Sequence, residues 1–194
     1  MTRKQIAIFS GSFNPIHIGH IALANYIKEF SYIDELWLIV SPHNPLKNAG
    51  NLLSDKVRLE MAQLAIEGYN DIKVSDVEFD MPKPSYTINT LNKLSLDHPD
   101  KDFTLVIGGD NWNDIHKWKD YKSLLQKYKV IIYPRLGQNI HIGDEYKNSV
   151  QLLHAPIIEV SSTFIRQSIE QGKDMRGFLP VRVYQYIIKH SLYQ

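Results

Sequence analysis

The chain has 194 residues, 43% of them hydrophobic and 22% charged, which fits a single domain over residues 1–194 and lies outside the ranges of disordered and fibrous chains. Twenty-two Lys and Arg against 21 Asp and Glu leave a formal charge of +1, so there is no basic field to hold nucleic acid by its phosphates, and nucleic acid is not expected as a partner. Cysteine is absent; that excludes disulfides, thiol nucleophiles and Cys-ligated zinc, agrees with a reducing cytoplasm, and leaves the histidines to carry acid, base and phosphate chemistry.

Met1 to Gln5 is polar and runs directly into the apolar run Ile6 to Phe9, without the long apolar core of a signal peptide. No stretch approaches the roughly 18 apolar residues that span a bilayer, so a cytoplasmic protein without a membrane partner is expected. Ile6 to Phe9, Leu36 to Val40, Thr104 to Ile107 and Val130 to Tyr133 are short apolar runs flanked by turn residues, the pattern of strands buried on both faces. Between them Leu23, Tyr26, Ile27 and Phe30 recur at helical spacing. So do Val57, Met61, Leu64 and Ala65, behind Ser54 as an N-cap. Alternating strands and helices predict an α/β fold, a parallel sheet with right-handed crossovers and helices on both faces.

Further along, Ile72 to Phe79 predicts a strand, and Thr87 to Leu96 a helix with Ile88, Leu91 and Leu94 on one face. Asp80 to Ser85 contains two prolines and is irregular. Gly137 to Lys147 reads as a polar loop, the place where disorder is expected. A C-terminal helical segment closes the chain: Thr163 to Gln171 with Gly172 as its C′ residue, then a helix opened by Pro180.

The chemistry concentrates in the loop after the first strand, Ser10-Gly11-Ser12-Phe13-Asn14-Pro15-Ile16-His17-Ile18-Gly19-His20. In a doubly wound sheet this is where helix N–H groups and the strand's carboxyl end face one crevice. His17 and His20, three apart at a helix start, share a face and can donate to phosphoryl oxygens, with added charge on protonation. Gly19 puts no side chain between them. The loop is neither a P-loop nor the Gly-x-Gly-x-x-Gly dinucleotide fingerprint. A surface or core histidine pair, or half a zinc site with His43, competes with the phosphate reading, although no further His or carboxylate falls at a metal spacing.

Gly11-x-Phe13-x-Pro15-x-His17-x-Gly19-His20 resembles the signature of the nucleotidyltransferases related to class I aminoacyl-tRNA synthetases, and Ser161-Ser162-Thr163-Phe164-Ile165-Arg166 resembles their Ser-Ser-Thr-x-Ile-Arg motif. Pro42 to Lys47, Ser85-Tyr86-Thr87, Gly109-Asp110, Trp118 and a closing helix from Tyr186 to Tyr193 narrow the resemblance, over essentially the whole chain, to the bacterial nicotinate-nucleotide adenylyltransferases. That resemblance implies a Rossmann-like fold and transfer of AMP from ATP to nicotinate mononucleotide without a covalent intermediate. Pyrophosphate is released, and Mg²⁺ rides on the ATP phosphates.

It also implies roles. His17 and His20 contact the α- and β-phosphates, with His20 facing the developing charge, and Arg166 holds the departing pyrophosphate. Gly11, Ser12, Phe13, Gly109, Asp110, Ser162 and Thr163 form the ATP site, with Asp110 on the ribose. Lys47, Tyr86, Thr87 and Trp118 form the mononucleotide site: Lys47 on its phosphate, Trp118 as a stacking platform, and the N–H groups near Tyr86 and Thr87 on the ring carboxylate. Bland roles compete: a helix cap for Asp110, a core position for Trp118, solvated charges for Lys47 and Arg166, and a surface position for Arg135, which otherwise falls beside the same crevice. Two departures stand out. The family's loop usually begins Gly-Gly-Thr-Phe-Asp-Pro, so Asn14 removes a carboxylate from beside the triphosphate and weakens any protein contact to Mg²⁺. Met81 stands where relatives often carry Arg. A sister enzyme using nicotinamide mononucleotide or phosphopantetheine, and a non-catalytic nucleotide sensor, are the rival functions; a homo-oligomer is compatible with either.

Overall fold

The computed structural model describes residues 3–42 and 52–194. Six strands form one sheet: β1 (Lys4–Gly11), β2 (Glu35–Val40), β3 (Ile72–Ser75), β4 (Lys101–Gly108), β5 (Lys129–Tyr133) and β6 (Val150–Leu152). Their order is β3-β2-β1-β4-β5-β6, and every neighbouring pair is parallel. This is the doubly wound Rossmann-like arrangement expected from the alternation of apolar runs and helical patterns. The strand order reverses between β1 and β4, so a crevice opens at their carboxyl ends.

The helices are α1 (Ile18–Phe30), α2 (Asp55–Ala65), α3 (Thr87–Asp97), α4 (Gly109–Asn113), α5 (Tyr121–Lys127), α6 (Ser162–Glu170) and α7 (Val181–Lys189). Alternate residues of each strand feed two cores, because side chains leave a strand on opposite faces in turn. Ala7, Phe9, Leu36, Leu38, Val106 and Ile131 pack with α1, α2, α6 and α7 on one face. Ile6, Ile8, Trp37, Ile39, Leu105 and Ile132 pack with α3, α4 and α5 on the other. β2 is buried at all six positions, which explains why its sequence is an unbroken apolar run rather than an alternating one.

Several elements differ from their sequence patterns. On α1 the buried stripe is Ile21, Ala24 and Ile27; Leu23 and Tyr26 lie at its edge, and Phe30 is 69% exposed. On α2 the stripe is Arg58, Met61, Ala62 and Ala65. β3 stops at Ser75 because the Phe79 N–H turns back to the Asp76 carbonyl at 2.8 Å. Gly137 to Lys147 is a loop, as expected, but one tied down on α4: Trp112 Nε1 donates to the His141 carbonyl at 2.9 Å and Asn113 Nδ2 to Gln138 Oε1 at 3.0 Å. Ile140 and Ile142 pack on the core beneath it. The closing helix ends at Lys189, so Tyr193 lies beyond it. Gly172 takes the left-handed conformation, φ +72, that a C′ residue after α6 requires.

Candidate active site

The loop after β1 delivers two imidazoles to the mouth of the crevice. His17 is the N-cap of α1, with extended backbone angles. Its own N–H donates to His20 Nδ1 at 3.2 Å, and the two rings stack with centroids 3.7 Å apart. Since His20 Nδ1 accepts, the neutral ring carries its proton on Nε2, the opposite edge. Phe13 supports that ring edge-to-face at 5.1 Å and is itself buried in the core. Gly11 has no side chain because the Phe13 ring lies where a Cβ would be, 2.9 Å away. Gly19 is likewise filled by protein: its Cβ would meet Val160 Cγ1 at 2.9 Å and His17 Cε1 at 3.2 Å. The glycine therefore admits Val160 and the imidazole rather than leaving open space for a phosphate.

The second motif closes on the first. Ser161 caps α6 by accepting the Phe164 N–H at 3.1 Å. Ser162 Oγ donates to the Pro15 carbonyl at 2.9 Å, and Arg166 Nη1 donates to the Asn14 carbonyl at 2.8 Å. Segments some 150 positions apart are thus joined by hydrogen bonds at the carboxyl edge of the sheet. Arg166 Nη2 also reaches Thr163 Oγ1 at 3.3 Å, while its buried Nε has no partner among the described residues. Asn14 is 3% exposed; its Oδ1 accepts the Tyr193 hydroxyl at 2.8 Å and the Leu53 N–H at 3.3 Å. The residue that replaces the family's aspartate is therefore part of the loop's internal scaffold.

Arg58 completes that scaffold from beneath. Its side chain is 0% exposed, and it donates to the carbonyls of Leu53 at 3.0 Å, Ser12 at 2.5 Å and Ser41 at 2.8 Å while pairing with Asp55 Oδ1 at 2.5 Å. One buried guanidinium thus fastens the β1 loop to the end of β2 and the start of α2. A buried charge is tolerated only when its donors are satisfied in this way.

From β4, Asp110 enters on the first turn of α4, where its Oδ1 lies 3.2 Å from Arg135 Nε. Arg135 Nη2 donates to the Tyr133 hydroxyl at 3.0 Å. Gly108 is the position over which this pair folds, since a Cβ there would strike Asp110 Oδ1 and lie 2.9 Å from Arg135 Nε. The space beside Gly109 is filled by Ile140, 2.8 Å from a built Cβ, so this glycine serves loop packing. Arg135 also sets the electrostatics. Burial drives the His17 pKa down to about 4, with the Arg135 charge adding to the effect. His20 is pushed well below its usual value by burial, then by His17 and Arg135. Both imidazoles are therefore neutral at neutral pH before an anion arrives.

A cavity of about 1020 Å³ gathers most of these groups. Gly11, Ser12, Phe13, His17, His20, Asp110, Ser162, Thr163 and Arg166 all line it, and Arg135 does too. Gly109, Tyr86, Thr87 and Trp118 do not. Tyr86 is the N-cap of α3 and Thr87 its first residue, on the same carboxyl edge of the sheet. Trp118 follows a short 3-10 turn at Ile115–Lys117 and packs on the second core. Lys119 Nζ sits 4.5 Å over the Tyr86 ring, which brings the Trp118 turn to the start of α3. Lys47 and His43 fall outside the described residues. No cluster of three His, Asp or Glu side chains able to hold a metal occurs among those described.

Sequence reasoning missed Arg58 and Tyr193. A signal existed for Arg58: with Met61, Ala62 and Ala65 it makes a helical stripe whose first member is charged, and a charge on an apolar stripe marks a buried partner set. Tyr193 carried no such signal, because its contact partner is 179 residues away.

A parallel sheet with a switch point, two helix N-termini and a stacked imidazole pair around one cavity defines an α/β protein whose site suits an anionic, nucleotide-sized ligand. The chain belongs to the cytidylyltransferase-like family, whose model matches residues 8–168, and within it to the nicotinate-nucleotide adenylyltransferases. It is 48% identical over 191 residues to the probable nicotinate-nucleotide adenylyltransferase of Bacteroides fragilis, covering 98% of this chain and 94% of that one. The corresponding protein of Flavobacterium johnsoniae is 42% identical over 193 residues, with 98% and 99% covered. Among solved structures the chain is similar to the Plasmodium falciparum nicotinic acid mononucleotide adenylyltransferase complexed with NaAD, at a TM-score of 0.78 and 23% identity over 98% of this chain and 97% of that one. That likeness is one of fold. No helix among the described residues is long and apolar enough to cross a membrane.

Proposed function

We propose that this chain is a single-domain enzyme that transfers AMP from ATP to nicotinate mononucleotide, forming nicotinic acid adenine dinucleotide and pyrophosphate in NAD biosynthesis. The observation that carries the reading is the junction of the two motifs: Ser162 on Pro15 and Arg166 on Asn14 place a cation and two imidazoles around one cavity. The choice of acceptor is supported by the names of the full-length relatives.

The 5′-phosphate of the mononucleotide attacks the α-phosphorus of ATP in line, and the bond to the β-phosphate oxygen breaks. A phosphate monoester is largely ionised at neutral pH and needs no protein base, so the rate comes from positioning and charge stabilisation. His20 Nε2–H donates to a phosphate oxygen with its ring held by the His17 N–H and Phe13. A neutral donor beside an accumulating negative charge gains proton affinity as the reaction proceeds, because a nearby anion favours the charged imidazole. His17, stacked against it, serves the neighbouring oxygen. Arg166 and the N-terminus of α6, with Ser162 and Thr163, receive the departing pyrophosphate. Asp110 takes the ribose hydroxyls in exchange for Arg135, which is then released toward the phosphates. Mg²⁺ carried by the ATP phosphates would shield their charge; Asn14 Oδ1 is already engaged by Tyr193 and Leu53, and Asp110 by Arg135, so neither is a ready protein ligand for it.

Lys47, Tyr86, Thr87 and Trp118 form the mononucleotide side, with the uncapped N-terminus of α3 toward the ring carboxylate and Trp118 as its platform. A cytoplasmic location belongs to the same reading and is supported by the cysteine-free composition. The test is pyrophosphate release from ATP with nicotinate mononucleotide, nicotinamide mononucleotide and phosphopantetheine as separate acceptors. The nicotinate compound should give the highest kcat/KM; a preference for phosphopantetheine, or ATP binding without turnover on any acceptor, overturns the assignment.

A further inference from the structure

We infer that Tyr193 is a positioning residue for Arg166, acting through Asn14: its hydroxyl holds the Asn14 side chain, and the Asn14 carbonyl holds the guanidinium. The two bonds are both 2.8 Å, and they meet on one residue of the β1 loop. Arg166 has few other restraints. Its remaining hydrogen bond among the described residues is to Thr163 Oγ1 at 3.3 Å, and its Nε is without a partner among them. The direction in which the guanidinium faces the cavity therefore follows the orientation of the Asn14 peptide.

The segment after α7 is shaped to deliver this hydroxyl. Beyond Lys189 the Ser191 N–H bonds to the Ile188 carbonyl at 3.2 Å and the Leu192 N–H to the Ile187 carbonyl at 3.0 Å. Ser191 (φ 49) and Tyr193 (φ 64) both occupy the left-handed region, which a residue with a Cβ adopts only when its surroundings impose it. Two such residues within three positions fold the chain back toward the β1 loop rather than letting it continue from the helix. Strain of this kind gathers where geometry serves a site. The Tyr193 ring packs against the first core, and burial raises the pKa of its phenol, so it remains a donor throughout the working pH range. Asn14 Oδ1 also takes the Leu53 N–H at 3.3 Å, a longer bond than the one from Tyr193.

The inference rests on the reading of the cavity as an ATP site, and the experiment separates the two. ATP affinity by calorimetry and kcat by pyrophosphate release are measured for wild type, Tyr193→Phe, Arg166→Ala and the double variant, with thermal midpoints for each. Tyr193→Phe should cost about five- to tenfold in kcat/KM for ATP, the scale of one hydrogen bond to an ordered network, and should lower the melting temperature by only a few degrees. In the Arg166→Ala background it should cost nothing further, because residues that act as a unit are not additive. Asn14→Ala enters the same cycle as a second route, removing the acceptor and abolishing the effect of the Tyr193 hydroxyl. Tyr186→Phe, whose hydroxyl bonds Glu60 Oε2 on α2, should match wild type. Full multiplicative loss in the Arg166→Ala background, or wild-type behaviour of Tyr193→Phe, overturns the inference. If wild type binds ATP yet fails to turn over nicotinate mononucleotide, the acceptor assignment falls while the ATP-affinity cycle still decides the role of Tyr193.

Discussion

Acidification should destabilise this fold in a way that traces to one imidazole. His17 is 5% exposed, and burial together with the Arg135 charge lowers its pKa to about 4 from the ordinary 6.5. Above 6.5 the ring is neutral in both the folded and the unfolded chain. As pH falls below 6.5, the unfolded chain binds a proton that the folded chain refuses, so stability declines until the folded pKa near 4 is reached. The full gap corresponds to about 3 kcal/mol, of which linkage places about 2 kcal/mol between pH 7 and pH 5. His20, lowered for the same first cause, adds loss of the same sign. The assay is guanidinium unfolding of wild type and His17→Asn at pH 7 and pH 5. Asparagine is a good N-cap, so the variant keeps α1, and subtracting the two proteins cancels the titrating groups that His17 does not influence; His20, lowered in part by His17, adds a smaller difference of the same sign. Wild type should lose about 2 kcal/mol more than His17→Asn on acidification. Saturating ATP should shrink the difference, because phosphates beside the ring favour its protonated form. Equal losses in the two proteins would refute the argument that His17 is held neutral.

Three further outcomes follow from the site. His20→Ala should lower kcat about a hundred- to a thousandfold, the scale of one preorganised donor at a developing charge, with the unfolding midpoint preserved; near-native pyrophosphate release would remove His20 from that role. Arg58→Met should cost about 3 to 5 kcal/mol in denaturant unfolding, since the buried carbonyls of Ser12, Ser41 and Leu53 lose their donor and Asp55 its partner; a cost within experimental error would mean that those carbonyls find other donors. On the proposed reading Trp118→Ala should raise KM for the mononucleotide and leave KM for ATP in place, since Trp118 lies outside the His17 cavity. The opposite split would assign Trp118 to the adenylate side.

The sequence carried the sheet because β1, β2, β4 and β5 are short apolar runs buried on both faces, and burial of that kind leaves no room for other residue types. It carried β6 poorly, since Val150–Leu152 is three residues at an edge with one exposed position. The helical stripes of α1 and α2 are legible in part: Ile27, Met61 and Ala65 are buried as expected, while the rest of each stripe is rotated because amphipathic spacing alone does not say which of two adjacent stripes faces the sheet. Ala24 and Ala62, small and inconspicuous, turned out to lie beneath the strands. At the site, His17, His20 and Arg166 were visible as motifs. What made them a unit was not: the Asn14 and Pro15 carbonyls are backbone features that no residue pattern announces, and Arg58 showed only as a charge at the head of an apolar stripe. The glycines show the same limit. From sequence Gly19 leaves the space between the histidines free of a side chain and Gly109 is part of the ATP site, whereas in the fold their empty positions are taken by Val160 with His17 and by Ile140.

A protein with a formal charge of +1 that binds a triphosphate and a phosphate ester has to generate its attraction locally. Here the resting site spends its positive groups on itself. Arg135 is paired with Asp110, Arg166 leans on the Asn14 carbonyl, and both histidines are neutral. What faces an incoming nucleotide is therefore the N-termini of α1 and α6 with the Arg166 guanidinium beside them, while Arg135 is held by Asp110. On the proposed mechanism a ribose at Asp110 would displace Arg135 toward the phosphates, whose own charge favours the protonated imidazoles. Positive charge would then be delivered as the substrate is seated rather than held unpaired beforehand, which is how a nearly neutral surface can serve a highly charged reaction.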